Sequence, residues 1–423
     1  MKRRDFLRCL SVSSGLFLTS GGLLLAAEGE AASTAADTSD DKSASDVFAI
    51  LEPFDGAILH QRHGRPVEGV ATNEQGLKQL LVRLTGRAPE GAVVTISCSG
   101  KEQKAERDGT HFTGIIALSD RTSVIKATCS VEGKQETRTV RVIWLADSFK
   151  RYRFQIDDNI FFLRDIHQKQ YDSIFDCAYL AGLRKLHDKY GTKFALNCFN
   201  STPERDFQLA MMSDRYKDQW EESSDWLRLT FHAENEFPNE PYKNASSEKL
   251  AQDFDLVAEQ LKRFAGSAYA PCGIVHWGTV RPNAYHVFKE RDCRCLSGYF
   301  DKVNNDWLVS FQLPDDVCSY LHEHDGWYHF GADLVFSKLD IICNLVPLSE
   351  TRPQLERAMA NPNTAEVLDM LTHEQYFWPF YSAYIPDHFD RLEAAIALAT
   401  ENGYTPVWHN DGFYSVPPTP APV

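Results

Sequence analysis

"RYRFQIDDNIFFLRDI", residues 151–166, decides how the chain is read. An apolar, strand-like run ends in two adjacent carboxylates and an amide: Asp157, Asp158 and Asn159. Carboxylates at the end of a buried strand are costly unless a cation, a metal or a proton-transfer task engages them. A local reading competes, in which the three residues cap a helix beginning at Ile160.

Downstream of this stretch, strands and helices alternate. "TKFALNCF", "WLRLTFHA", "CGIVHWG", "CLSGYF", "ADLVFSKLDI", "EVLDMLTHE" and "YTPVWHND" read as strands. Between them, Leu250, Phe254, Val257, Leu261 and Phe264 form a helical stripe closed by Gly266. "PDHFDRLEAAIALATENG" repeats the pattern, with Asp387 as N-cap and Gly403 as C-cap. Seven or eight such alternations predict an irregular (β/α) barrel over 148–423. A doubly wound open sheet is the alternative, but no Gly-rich phosphate fingerprint follows a strand.

Upstream, residues 47–147 read as short alternating strands, predicting a small all-β, immunoglobulin-like sandwich. Val94, Ile96 and Cys98 share one face, as do Ile125, Ala127 and Cys129. Cys98 and Cys129 could form a cross-strand disulfide or stay as two buried thiols. No aromatic platform marks the sandwich as a sugar-binding module, which leaves a packing or spacer role. Before it, Arg3-Arg4 and the apolar "SGLFLTSGGLLLAA" predict a twin-arginine export signal over 1–32, hence a periplasmic or extracellular protein. Residues 33–46 predict a disordered spacer.

The chain has 423 residues, 43% of them hydrophobic, enough for two cores. Its net charge is −15, and a signal carrying a net +2 leaves about −17. That surface repels phosphate backbones and anionic lipid, excluding nucleic-acid and membrane partners once the signal is gone. Ten cysteines less Cys9 of the signal leave an odd number, and no C-x-x-C pair offers a zinc site.

Barrel enzymes place their chemistry at the C-terminal ends of strands. Here Asp157 and Asp158 end the first strand, and His232, Glu234 and Glu236 the third. His276, Trp277 and Arg281 follow the fourth, and His373 and Glu374 end a late one. Each residue alone has a structural explanation; four strand ends together point to a site. "LHEHDGWYH", residues 321–329, is rich in histidine but reads as a structural loop in solvent.

This arrangement resembles the polysaccharide deacetylase (NodB-like) superfamily, in a divergent bacterial branch. The resemblance implies a distorted (β/α) barrel that uses a divalent metal, usually zinc, to remove acetyl groups from amino sugars of a glycan. From "QIDDN" it implies Asp157 as base and Asp158 as metal ligand. From "FHAENEF" it implies His232 as ligand, with Glu236 where the family has a second histidine; His276 competes for that place. Arg281 of "HWGTVRP" would orient the base, and His373 of "LDMLTHEQYF" would act as general acid. His276, Trp277, Glu374, Tyr376 and Trp378 are expected to contact substrate, the aromatics by stacking on a sugar ring. The chemistry suits the parts: a metal lowers the pKa of water to about 7, and a nearby carboxylate takes its proton. Two rivals stand beside it, a glycoside hydrolase with paired carboxylates such as Asp157 and Glu236, and a non-catalytic carbohydrate-binding relative.

Overall fold

A computed structural model describes residues 48–68 and 77–410; the expected export signal and spacer lie outside them. The described chain is mixed α/β: mostly antiparallel sheets come first, then a parallel sheet with helices. No helix among the described residues is long and apolar enough to cross a membrane.

Between Ala49 and Trp144 the strands form two five-stranded sheets. Alternation gives the longer strands one apolar face: Leu80, Val82 and Leu84 in one sheet, and Val94, Ile96, Ile125 and Ala127 in the other, are buried. The faces meet where Gly114 leaves no space, since a Cβ there would stand 2.3 Å from Ile96 Cδ1. Cys98 pairs with Ile125 and Cys129 with Val94, so the two cysteines lie apart along the ladder. Both are free and buried, as are the other seven cysteines of the described chain.

The second half is built on β1 (Arg151–Asn159), β2 (Phe194–Phe199) and β3 (Leu227–Ala233). They are followed by β4 (Cys295–Gly298), β5 (Leu334–Lys338), β6 (Ile341–Ile342), β7 (Val367–His373) and β8 (Thr405–Pro406). The main sheet runs β3-β2-β1-β7-β6, all parallel, with β8 beside the start of β1. A smaller sheet pairs β4 with β5. Single backbone bonds link the two: Ala270 N–H to Leu229 C=O (2.9 Å), Ser297 N–H to Gly273 C=O (2.7 Å) and Leu339 N–H to Gly298 C=O (2.8 Å). "CGIVHWG", expected as a strand, makes only such isolated bonds and ends in a 3-10 turn at His276–Gly278. Pro271, at its start, has no N–H to give a ladder.

Helices α1 (Phe161–Lys169), α2 (Ala178–Tyr190), α3 (Ser247–Ala265), α4 (Leu348–Ala360) and α5 (His388–Glu401) cover the sheet. On α3 the predicted stripe is buried, Phe254 lying 4.5 Å from Phe231 of β3, and Gly266 ends the helix at φ +54°. Each such buried side chain contributes about 1.5–3 kcal/mol. On α5, Asp387 makes no side-chain cap bond and Asn402, not Gly403, takes the C-cap position.

Inside, β1 departs from an ordinary apolar strand. Arg151, Arg153, Gln155 and Asp157 alternate with Tyr152, Phe154 and Ile156, and all seven are buried. Arg153 reaches three strands at once, donating to Asp369 of β7 (2.6 Å), Cys295 Sγ of β4 (3.0 Å) and Ser337 of β5. Polar side chains therefore lie buried between these strands, paired with one another as burial requires.

The first half packs on the N-terminal ends of these strands. Ile58 and Leu145 cluster with Cys295, Val335 and Val367, each at or next to its strand's start, and Trp327 Nε1 donates to Asp55 C=O at 2.6 Å. "LHEHDGWYH" belongs to this seam rather than to a solvent loop. Gly326–His329 is a strand, and buried Asp325 accepts from the N–H groups of Glu366 and Val367.

Candidate metal centre

At the opposite, C-terminal end, β1 brings Asp157 into register with His373 of β7, so both side chains emerge on one face. The next residue should point away. It does not, because Asp158 adopts φ +62° and the β1–β2 register shifts between Ile156 and Asn159. This bulge turns two consecutive carboxylates into one pocket, at the backbone cost of a left-handed non-glycine residue. Asp157, Asp158, His232, His276 and His373 all line that pocket.

Asp158 Oδ1 stands 3.2 Å from His232 Nε2 and 3.2 Å from His276 Nδ1, and the two ring nitrogens are 3.2 Å apart. All three residues are buried. The outer ring nitrogens decide which edges carry protons: His232 Nδ1 lies 3.2 Å from Ile274 C=O, and His276 Nε2 lies 3.0 Å from Glu236 C=O. A carbonyl only accepts, so both outer nitrogens carry hydrogen and both neutral rings turn a lone pair to the same point as Asp158. A tetrahedron with metal bonds of about 2.0–2.1 Å has edges near 3.3 Å, close to the triangle found. Ligand type, spacing and outer hydrogen bonds thus fit a divalent cation. Among the described residues this is the one group of three that could hold a metal. Burial disfavours charge on His232, yet Asp157 and Asp158 outweigh it and raise the ring above its ordinary value. The acids make this a place for positive charge.

His276, expected to contact substrate and also a competitor for the third place, completes the triad, and Glu236 stands outside it. A helical turn after His232 would have stacked Glu236 on it. Instead Asn235 pins the segment as a loop, donating to Thr202 C=O at 2.8 Å and accepting from Phe237 N–H at 3.0 Å. Glu236 then offers His276 its backbone carbonyl.

Asp157 sits beside the triad, Oδ2 3.9 Å from His232 Nε2, and its Oδ1 accepts from Asn197 Nδ2 at 2.7 Å. His373 Nδ1 lies 2.8 Å from Asn344 Oδ1, an acceptor that fixes the proton on Nδ1 of the neutral ring. Arg281 is exposed and donates to Asn244 at 3.2 Å; it is not among the pocket's lining residues. Trp277 lines the pocket with Ile274, Tyr299, Leu339, Ile342 and Leu371, enclosing about 60 Å³.

Glu374 caps α1, a role the sequence reading had offered to Asp157–Asn159. Its carboxylate accepts from the N–H groups of Ile160 (2.7 Å), Phe161 (2.9 Å) and Phe162 (2.6 Å). Trp378 Nε1 donates to the same group at 3.0 Å, while burial pushes Glu374 up to about 7. Trp378 stacks on exposed Phe380, and Tyr376 is buried against His388, so neither lines the pocket. Asn197 and Asn344 escaped the sequence reading. A lone amide within the apolar "FALNCF" was the available signal for the first.

The chain matches no protein-family model, and no curated protein matches it. Solved structures with some likeness include a cyclomaltodextrinase, 8% identical over 77% of this chain and 82% of that one, with a TM-score of 0.31. A carbohydrate acetylesterase from Xanthomonas citri is 10% identical over 84% and 75%, TM-score 0.20. An endo-β-1,4-mannanase from Thermotoga petrophila is 10% identical over 24% of this chain, TM-score 0.18, and the match spans only 20% of that enzyme. Likenesses this slight assign neither activity nor substrate.

Proposed function

We propose that the chain is an exported, metal-dependent hydrolase that removes N-acetyl groups from amino sugars of a glycan. The observation that carries the reading is the convergence of Asp158, His232 and His276 beside Asp157 and His373. The fold is read accordingly as an irregular barrel, β3 continuing through residues 269–275 to β4, β5, β6 and β7, with an immunoglobulin-like sandwich beneath. The linking backbone bonds support that ring.

Asp158, His232 and His276 would hold a divalent metal such as zinc, which would supply Lewis acidity for hydrolysis near pH 7. The chain's own residues do the rest. Asp157, ionised and fixed by Asn197, takes the proton of the attacking water. His373 acts as the imidazolium: Asn344 holds its Nδ1–H, and its Nε2–H goes to the departing amine, otherwise a very poor leaving group. The apolar walls formed by Ile274, Leu339, Ile342 and Leu371 suit a methyl group and shed water from the reacting carbonyl. The rival with paired carboxylates loses support because Glu236 is not among the residues that line this pocket.

The test is acetate release from a panel of N-acetylhexosamine glycans by zinc-loaded protein. Release that disappears in an Asp157→Asn variant still holding its metal supports the reading. No acetate from any glycan overturns it.

A further inference from the structure

Two adjacent aspartates at a metal centre raise a question of division of labour. Asp157 Oδ2 is 3.9 Å from His232 Nε2, and a carboxylate that close to a candidate ligand atom is a natural fourth ligand for a cation held there. A centre with four protein ligands is closed, whereas one with three keeps a position open for water or substrate. Something must hold Asp157 back.

One side chain that holds it is Asn197, on β2 and fully buried. Its Nδ2 donates to Asp157 Oδ1 at 2.7 Å and lies 3.4 Å from Gln155 Oε1. Its orientation is fixed by its partners: a carboxylate only accepts, so the NH₂ must face Asp157. On the other side, Thr230 Oγ1 donates to Asn197 Oδ1. Gln155 is fixed in turn, its Nε2 donating to Ser297 at 3.1 Å and lying 3.5 Å from Asp369, which Arg153 neutralises. The amide is thus anchored from below by a run of hydrogen bonds that ends on a buried ion pair. Flipping it would face two acceptors with an oxygen.

We propose that Asn197 is a positioning residue that keeps the metal centre open by tethering Asp157 as a base rather than a ligand. This rests on the hydrolase reading above and adds to it the group that separates the two aspartates' roles. Without the tether, the Asp157 carboxylate turns to the cation. Metal affinity then rises while turnover falls, a pair of opposite changes that mere loosening of the site would not produce.

The experiment compares wild type, Asn197→Ala and Thr230→Val, each freed of metal and titrated with zinc against a competing chelator. Kinetics on the acetylated glycan are measured alongside. Asn197→Ala is expected to bind zinc about tenfold more tightly and to lose 10–100-fold in kcat with KM within about twofold, the range typical of residues that orient a metal site. Thr230→Val should shift both in the same direction by less, and serves if the alanine variant does not fold. Unchanged or weaker zinc binding in both variants overturns the proposal, whatever the kinetics. Tighter zinc binding with no hydrolysis by any of the three proteins sustains Asn197's role and overturns the hydrolase reading instead.

Discussion

His276 Nδ1 stands 3.2 Å from His232 Nε2, although 44 residues of chain separate them. With both outer nitrogens donating to carbonyls, two lone pairs face each other beside the carboxylate of Asp158. That arrangement is stable only around positive charge. His276→Ala is therefore expected to weaken zinc binding by more than about 100-fold, since even residues behind the ligands are worth 10–100-fold. Glu236→Gln, which leaves the backbone carbonyl in place, should bind zinc within about threefold of wild type. Chelator competition measures both, and the reverse order would restore Glu236 as the ligand.

Glu374 satisfies three N–H groups at the start of α1. Glu374→Ala leaves them buried without an acceptor, at a cost of about 1–3 kcal/mol. Urea unfolding should report that loss, and amide exchange should quicken first at Ile160, Phe161 and Phe162. Zinc stoichiometry should not change. Loss of zinc at full stability would instead place Glu374 at the centre.

Arg153 and Asp369 form an ion pair in which both side chains are almost wholly buried, at 2.6 Å. Removing one partner strands the other's charge, so Asp369→Asn and Arg153→Met should each cost about 3–5 kcal/mol. The double variant should be more stable than the sum of the singles predicts, because no charge is left unpaired. Simple additivity in thermal or urea unfolding would show that the two do not act as a pair.

His388 donates to or accepts from Thr372 Oγ1 at 2.7 Å, stacked by Tyr376. Burial, then the charges of Arg391 and His373, push it down to about 3 from 6.5. The unfolded chain therefore binds the proton first as pH falls, and the stability tied to the neutral ring is present above 6.5 and lost toward 3. His388→Asn removes this titration. The stability gap between wild type and variant should narrow on acidification from pH 7 to 4, by at most about 1.4 kcal/mol per pH unit. A gap independent of pH would contradict the assignment.

The sequence carried the strand order's outline because helix stripes such as Leu250–Phe264 and strands such as "TKFALNCF" follow strict periods. It carried Asp158 and His232 because charge at the end of a buried strand needs a reason. It left the triad's third member open between Glu236 and His276, since spacing along the chain cannot tell a helical turn from a loop pinned by Asn235. It also read "RYRFQI" as apolar, although Arg151, Arg153 and Gln155 alternate strictly with aromatic and aliphatic residues. That alternation is the mark of a strand with one polar, enclosed face, and Asp157 continues it. Arg281 went wrong for a related reason: its place in the motif says nothing about which way a loop turns, and here it turns to Asn244.

The central claim is that residues remote in sequence grip one ion. Diffraction from zinc-soaked crystals at the zinc absorption edge tests it directly. The account predicts one anomalous peak per chain, within about 2.0–2.2 Å of Asp158 Oδ1, His232 Nε2 and His276 Nδ1. A chain that takes up no zinc there, or a peak bonded to Glu236 in place of His276, would contradict it.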